Sequence, residues 1–204
     1  NKYIYITYHQ SQFDKRIRAR YSVMEEVEKP EELKNEILRE TIKRYGPKDS
    51  VEITSHAEIP SGTGLGSSGS FGVGVLHALR PDMNKEALAT TATHIQWHLG
   101  FPIGLQDQFI SALGGIKCFN VNKQGDTKSY NLNTDIKILE SKLAMFFTGF
   151  KRDTNEVLRQ SSFEGLNKIQ ELAYEIYDAL AHNDSKRFGE LMHEHWEWKK
   201  KRGP

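Results

Sequence analysis

The sequence predicts an α+β chain in two parts, and three observations carry that prediction. Residues 2–9 (KYIYITYH), 16–21 and 51–55 have the aromatic and β-branched content, or the period-2 alternation, of strands. Between and after them, apolar residues recur at helical spacing. Beyond Asp153 the pattern becomes almost purely helical, which places a division at 149/150: residues 1–149 form a mixed part and residues 150–204 a helical one.

Taken in order, the first strand gives way to a polar turn at 10–15 and then to Arg16-Ile17-Arg18-Ala19-Arg20-Tyr21. One face of that strand takes Ile17, Ala19 and Tyr21, and the other carries Arg16, Arg18 and Arg20. Either the arginine face is solvated, as on an edge or half-exposed strand, or it meets an anion. Pro30 stands close to a helix start, and Leu33, Ile37, Leu38 and Ile42 stripe residues 31–44 up to Gly46-Pro47. After the strand at 51–55, residues 69–80 read as a tightly packed helix. Phe71, Val75 and Leu79 recur there every four positions, while Gly72 and Gly74 leave room for a close neighbour. Each glycine costs roughly 1 kcal/mol relative to alanine, so close packing or a ligand must offset them.

Helices at 85–98 and 105–113 follow, the second broken by Gly114-Gly115. Strands are expected at 116–121 and 127–132 around Gln124-Gly125-Asp126, and residues 142–148 (KLAMFFT) read as a strongly apolar strand. Leu166, Ile169, Ala173, Ile176 and Leu180 mark one long amphipathic helix, and Phe188, Leu191, His195 and Trp198 a second.

Composition narrows the function classes. The 204 residues carry 28 basic and 27 acidic side chains, a formal charge of +1. That balance gives no general attraction to nucleic acid or an anionic membrane. No apolar run approaches the ~20 residues that span a bilayer. The one cysteine, Cys118, excludes an internal disulfide framework and suits a reducing cytoplasm; between Ile116 and Phe119 it reads as a buried structural thiol. His94, His98, His193 and His195 lack the pattern of a zinc site. The absence of a start methionine and the stop at Arg202-Gly203-Pro204 lead us to expect that both ends are cut.

The most informative segment is Pro60-Ser61-Gly62-Thr63-Gly64-Leu65-Gly66-Ser67-Ser68-Gly69-Ser70. Glycines let backbone amides approach a ligand, and amides leading into a helix N-terminus make an anion site. Ser67 and Ser68 either cap that helix or point a hydroxyl inward. A P-loop needs a lysine after its glycines, and none occurs from 49 to 84. Gly64, Gly66 and Gly69 satisfy the dinucleotide pattern GxGxxG, but His56 to Pro60 separates them from the strand and no ribose-binding acid follows a second strand.

The segment resembles the central phosphate-loop motif of the GHMP kinases, the superfamily of galactokinase, homoserine kinase, mevalonate kinase and phosphomevalonate kinase. Pro102-Ile103-Gly104-Leu105-Gln106-Asp107-Gln108-Phe109, ending in Gly114-Gly115, is similar to the segment that carries the catalytic aspartate of the sugar kinases. Phe147-Thr148-Gly149-Phe150-Lys151-Arg152 resembles the entry to the family's C-terminal domain. PIGLQDQF and HEHWEWKKKR look most like the bacterial D-glycero-D-manno-heptose 7-phosphate kinases. The family's first and third motifs have no counterpart here.

The resemblance implies a GHMP kinase-like two-domain fold, a ribosomal protein S5 domain 2-like N-terminal part with a truncated ferredoxin-like C-terminal part. It implies ATP and Mg²⁺ as cofactors, a sugar phosphate as partner, and a monomer or homodimer in the cytoplasm. Pro60, Gly62, Thr63, Gly64, Leu65, Gly66, Ser67, Ser68 and Gly69 become the phosphate-binding candidates, Ser68 the metal ligand and Asp107 the catalytic group. Lys151, Arg152 and Arg18 are candidates for the sugar's own phosphate. Galactokinase-like or fucokinase-like activity is the nearest alternative, and an S5-like RNA-binding module the alternative of another class. One departure stands out: where many family members place a magnesium-binding glutamate about three helical turns before the aspartate, this sequence has Gln96 and Trp97.

Overall fold

The computed structural model describes residues 2–150 and 162–202, which fall into two compact units, Asn1–Gly114 and Gly115–Pro204. Compactness therefore groups the segment after Gly114 with the terminal helices, ahead of the change in composition at 149/150.

The first unit runs β1 (Ile4–Gln10), β2 (Ile17–Arg20), β3 (Met24–Val27), a 3-10 turn (Pro30–Glu32), α1 (Glu36–Tyr45), β4 (Val51–Ala57), α2 (Ser67–Leu79), α3 (Lys85–His98) and α4 (Gln106–Leu113). Its sheet has the order β1-β4-β2-β3, with β4 antiparallel to β1 and parallel to β2, and β3 antiparallel to β2. A parallel pair needs a crossover, and α1 lies on the connection between β2 and β4. Asn35 starts α1 by accepting from the Leu38 amide at 3.0 Å, whereas Pro30 opens the preceding 3-10 turn.

Alternation in β2 works as expected on one face: Ile17 and Ala19 are buried with Leu38, Ile42, Val51, Ile53 and Val75. The edge placement is corrected, because β3 pairs along the outer side of β2, whereas the half-exposed one holds: Ile17 and Ala19 are buried and Arg20 is exposed. The arginine face is met by carboxylates. Arg16 and Arg18 each bond Asp14 and Glu26, and Arg20 lies 3.0 Å from Glu52 of β4. The hydrogen bond from Arg16 leads the contacts that hold the Asp14 carboxyl well below the usual carboxylate range.

Helix α2 packs closely, as its glycines require. A Cβ on Gly74 would meet Ile6 Cγ1 of β1 at 2.8 Å. Val73 and Leu76 pack with Leu88 and Ala92 of α3 to form a second cluster.

The second unit holds the hairpin β5 (Lys117–Val121) and β6 (Thr127–Asn131), then α5 (Ile136–Lys142), α6 (Leu166–Ala181) and α7 (Ser185–Lys200). The strand expected at 142–148 does not form. Asp135 caps α5 by accepting from the Lys137 and Ile138 amides, so Lys142 ends a helix. Leu143, Met145, Phe146 and Phe147 are then exposed without a paired strand among the described residues. Cys118 is half-buried rather than buried, since it stands in a ribbon of two strands. In α6 the core-facing residues are Leu172, Ile176 and Ala179, packed with Phe188, Leu191 and Trp198 of α7. Leu166 and Ala173 of the expected stripe are exposed. No described helix is long and apolar enough to cross a membrane.

Candidate active site

The site is built from the loop between β4 and α2 and from the first turn of α4, all within the first unit. Gly62, Gly64 and Gly66 have φ of 79°, 77° and 72°. Glycine enters that left-handed region without steric cost, and turns of this kind are able to present successive backbone amides to an anion. Thr63 closes the turn by donating its hydroxyl to the Pro60 carbonyl at 3.0 Å.

Gly66 is the N-cap of α2, and no side chain caps the helix. Ser67 and Ser68 lie inside the first turn, which corrects the capping alternative: left-handed Gly66 makes the helix entry itself. The positive end of α2 thus adjoins a glycine turn.

Helix α4 brings Asp107 to that turn. A Cβ on Gly66 would lie 3.1 Å from Asp107 Cγ and 3.3 Å from Oδ1, and one on Gly69 would lie 2.8 Å from Asp107 Cβ. The hydroxyls of Ser70 and Ser111 are hydrogen-bonded at 2.8 Å, and Ser111 lies 2.6 Å from the Asp107 carbonyl, to which it donates. Burial pushes the Asp107 carboxyl above its ordinary pKa, while its place in the first turn of α4 favours the anion. Before α4, Trp97 donates its indole N–H to the Ile103 carbonyl at 3.0 Å and ties down the approach to Asp107.

The structure therefore brings together Pro60, Gly62, Thr63, Gly64, Leu65, Gly66, Ser67, Ser68 and Gly69 as one continuous loop and helix start, with Asp107 beside it. It does not add Arg18, whose guanidinium is engaged by Asp14 and Glu26. Lys151 and Arg152 lie outside the described residues. Among the described residues no three His, Cys, Asp or Glu side chains gather to hold a metal ion. Two buried glutamines adjoin the site: Gln96 is 0% exposed with neither end of its amide hydrogen-bonded, and Gln108 is 1% exposed with Oε1 unpaired. The sequence marks Gln96 only as a departure from a pattern and gives no sign that either amide is buried.

Comparison with known proteins gives the same direction as the geometry. Residues 32–115, which span the loop and Asp107, match the GHMP kinases N terminal domain. Residues 32–115 are thus similar to the GHMP kinases N terminal domain, on the segment that holds the site. A D-glycero-alpha-D-manno-heptose 7-phosphate kinase of Campylobacter jejuni is 26% identical over 167 residues, covering 74% of this chain and 49% of the relative. This chain thus spans about half the length of the curated relative it matches. Among solved structures, a D-glycero-D-manno-heptose 1-phosphate kinase from Bacteriodes thetaiotaomicron has a TM-score of 0.76 at 22% identity, covering 98% of this chain and 68% of that one. A putative sugar kinase from Campylobacter jejuni gives 0.74 at 24%, covering 98% and 65%. The Methanococcus jannaschii mevalonate kinase gives 0.65 at 18%, covering 97% and 70%. These structures share the two-domain α+β fold of this chain.

Proposed function

We propose that this chain belongs to the GHMP kinases and takes part in transferring the γ-phosphate of ATP to a sugar phosphate. The proposed acceptor is the anomeric hydroxyl of D-glycero-D-manno-heptose 7-phosphate, giving the 1,7-bisphosphate. The observation that carries the proposal is Asp107, whose carboxylate lies against Gly66 of the glycine turn and whose Cβ lies against Gly69 in the first turn of α2. A phosphate cradle alone binds nucleotide. A carboxylate held against that cradle adds a group able to orient an incoming hydroxyl. The likeness to the heptose 7-phosphate kinase of Campylobacter jejuni supports the choice of sugar.

In this reading the amides of residues 62–69 and the positive end of α2 hold the β- and γ-phosphates. Asp107 orients the acceptor hydroxyl and takes its proton as the new O–P bond forms and the bond from the γ-phosphorus to the ADP oxygen breaks. Its burial makes the carboxyl a better proton acceptor than an ordinary aspartate. Placement and electrostatics supply most of the effect in such reactions.

The donor set fits magnesium carried by the nucleotide better than a protein-held ion: Ser68 offers a hydroxyl in the first turn of α2, and Gln96 offers only a neutral amide. Bound with ATP, the ion would neutralise charge on the phosphates. Lys151 and Arg152 remain the candidates for the sugar's own phosphate, with Arg18 a weaker one because it is already paired. The domain division at 149/150 and the cytoplasmic setting belong to the same proposal.

ADP release by the full-length protein, screened over heptose 7-phosphate, galactose, fucose and mevalonate, tests the assignment. Stimulation by heptose 7-phosphate is expected. Stimulation by galactose or fucose alone would replace the substrate, and RNA binding without ADP release would replace the class.

A further inference from the structure

We infer that the hydroxyls of Ser70 on α2 and Ser111 on α4 form a latch that holds Asp107 in place against the glycine turn, which makes both serines positioning residues. The two hydroxyl oxygens lie 2.8 Å apart. Ser111 donates its proton to the Asp107 carbonyl at 2.6 Å, one turn back along α4. A serine hydroxyl has a single proton, so in the bond between the serines Ser70 is the donor and Ser111 the acceptor. The relay therefore runs from α2 through the Ser111 hydroxyl to the backbone of Asp107 itself.

Its place between the two helices gives this relay a consequence. Gly66 and Ser70 are four residues apart at the start of α2, as Asp107 and Ser111 are on α4, so each pair shares a helix face. The helices meet at two rungs, one turn apart. At the first, a Cβ on Gly66 would lie 3.1 Å from Asp107 Cγ; at the second stands the bond between the serines. Gly69 allows the close approach between them, since a Cβ there would lie 2.8 Å from Asp107 Cβ. Contact at the first rung alone leaves α4 able to roll, which swings the carboxylate; a bond at the second rung fixes the roll. The carboxylate has no such tie of its own. Among the described residues burial shifts it, and no hydrogen bond or charge contributes. Ser111 is exposed and Ser70 half-buried, so water competes for the bond and its net contribution to stability is small. What the bond supplies is orientation. Ser70 also commits its proton to Ser111, which leaves it none to donate to a phosphate. The kinetic part of the inference rests on the proposed role of Asp107; the positional part does not.

The full-length protein is compared with Ser70→Ala, Ser111→Ala, the double variant, and Ser111→Thr, whose hydroxyl can still reach the carbonyl one turn back. Each alanine variant is expected to lower kcat roughly 10- to 100-fold, with KM for ATP and the urea midpoint little changed. Because both changes break one relay, the double variant should lose no more than the worse single one, and Ser111→Thr should retain most of the turnover. Unchanged kcat in the single variants, losses that multiply in the double variant, or a raised KM for ATP in Ser70→Ala overturn the latch. So does a loss in Ser111→Thr as large as in Ser111→Ala. The position of Asp107 is read separately from the carbon-13 NMR titration of its carboxyl, assigned by its absence in Asp107→Asn. A loosened latch opens the carboxyl to water, so each alanine variant should titrate nearer the ordinary value of 3.8 than the parent does; an unchanged titration overturns the positional part. If the parent releases no ADP with any sugar, the kinase proposal fails, and the titration still decides whether the serine pair places the carboxylate.

Discussion

A Cβ placed on Gly69 of α2 would stand 2.8 Å from the Cβ of Asp107 on α4, closer than two carbon atoms can rest. Gly69 lies inside the helix, so its value there is the room it leaves, not an unusual backbone angle. Gly69→Ala forces α4 away from the loop. Overpacking of this kind costs about 1–3 kcal/mol, which urea denaturation would register. Turnover is predicted to fall further than ATP affinity, because the displaced group is the carboxylate. Unchanged kcat in Gly69→Ala would show that the contact has no catalytic consequence.

Asp107→Asn separates function from stability. Burial raises the folded-state pKa of Asp107 above its ordinary value of 3.8. The ionised form is therefore disfavoured by folding, and its effect on stability worsens as pH rises through the folded pKa. At neutral pH, Asp107→Asn is predicted to be at least as stable as the parent, with the difference shrinking in acid toward the ordinary carboxylate value. Turnover should fall by ~10²–10⁴. Urea midpoints across that pH range, with ADP release at neutral pH, check both halves; lower stability of the variant at neutral pH contradicts the first.

Much of this site was legible in the sequence, for a local reason. Left-handed backbone at Gly62, Gly64 and Gly66 favours glycine, so the turn is written in the residues that form it. Helix α3 was legible to the residue at both ends, with Asn84 capping its start. The contact between Gly69 and Asp107 was not, since it depends on how two helices separated by α3 come together. The expected strand at 142–148 does not form because an apolar run names a strand only if a partner pairs with it, and the described hairpin consists of β5 and β6 alone. Strand β3 escaped notice because Met24-Glu25-Glu26-Val27 carries two acids; one bonds Tyr21 and the Lys34 amide, the other Arg16 and Arg18.

The arginine candidates make opposite predictions. Arg18 is paired to Asp14 and Glu26 at solvent-screened positions, so Arg18→Ala should change stability little and leave KM for the sugar phosphate unchanged. Removing the charge of Lys151 or Arg152 should raise that KM with little effect on KM for ATP. Steady-state kinetics of the three variants distinguish them. A raised sugar-phosphate KM in Arg18→Ala would mean that its guanidinium leaves its carboxylates for the ligand.

Metal binding is predicted to require nucleotide. Gln96 presents an uncharged amide in a buried position, a weak ligand for a hard cation. Calorimetry should find negligible Mg²⁺ binding by the protein alone and clear binding with an unhydrolysable ATP analogue. Ser68→Ala should weaken use of Mg-ATP. Gln96→Glu buries a carboxylate without a counter-charge, so it should destabilise the free protein and increase the stabilisation gained from Mg-nucleotide. Tight Mg²⁺ binding without nucleotide contradicts this reading.

The most direct test measures ADP release by the full-length protein with heptose 7-phosphate, with the Asp107→Asn variant assayed in parallel. The parent is predicted to release ADP only when the sugar phosphate is present, and the variant to bind ATP with similar affinity while losing about two or more orders of magnitude in turnover. Sugar-dependent ADP release that survives in Asp107→Asn would contradict the assignment of Asp107 as the group that orients and deprotonates the acceptor.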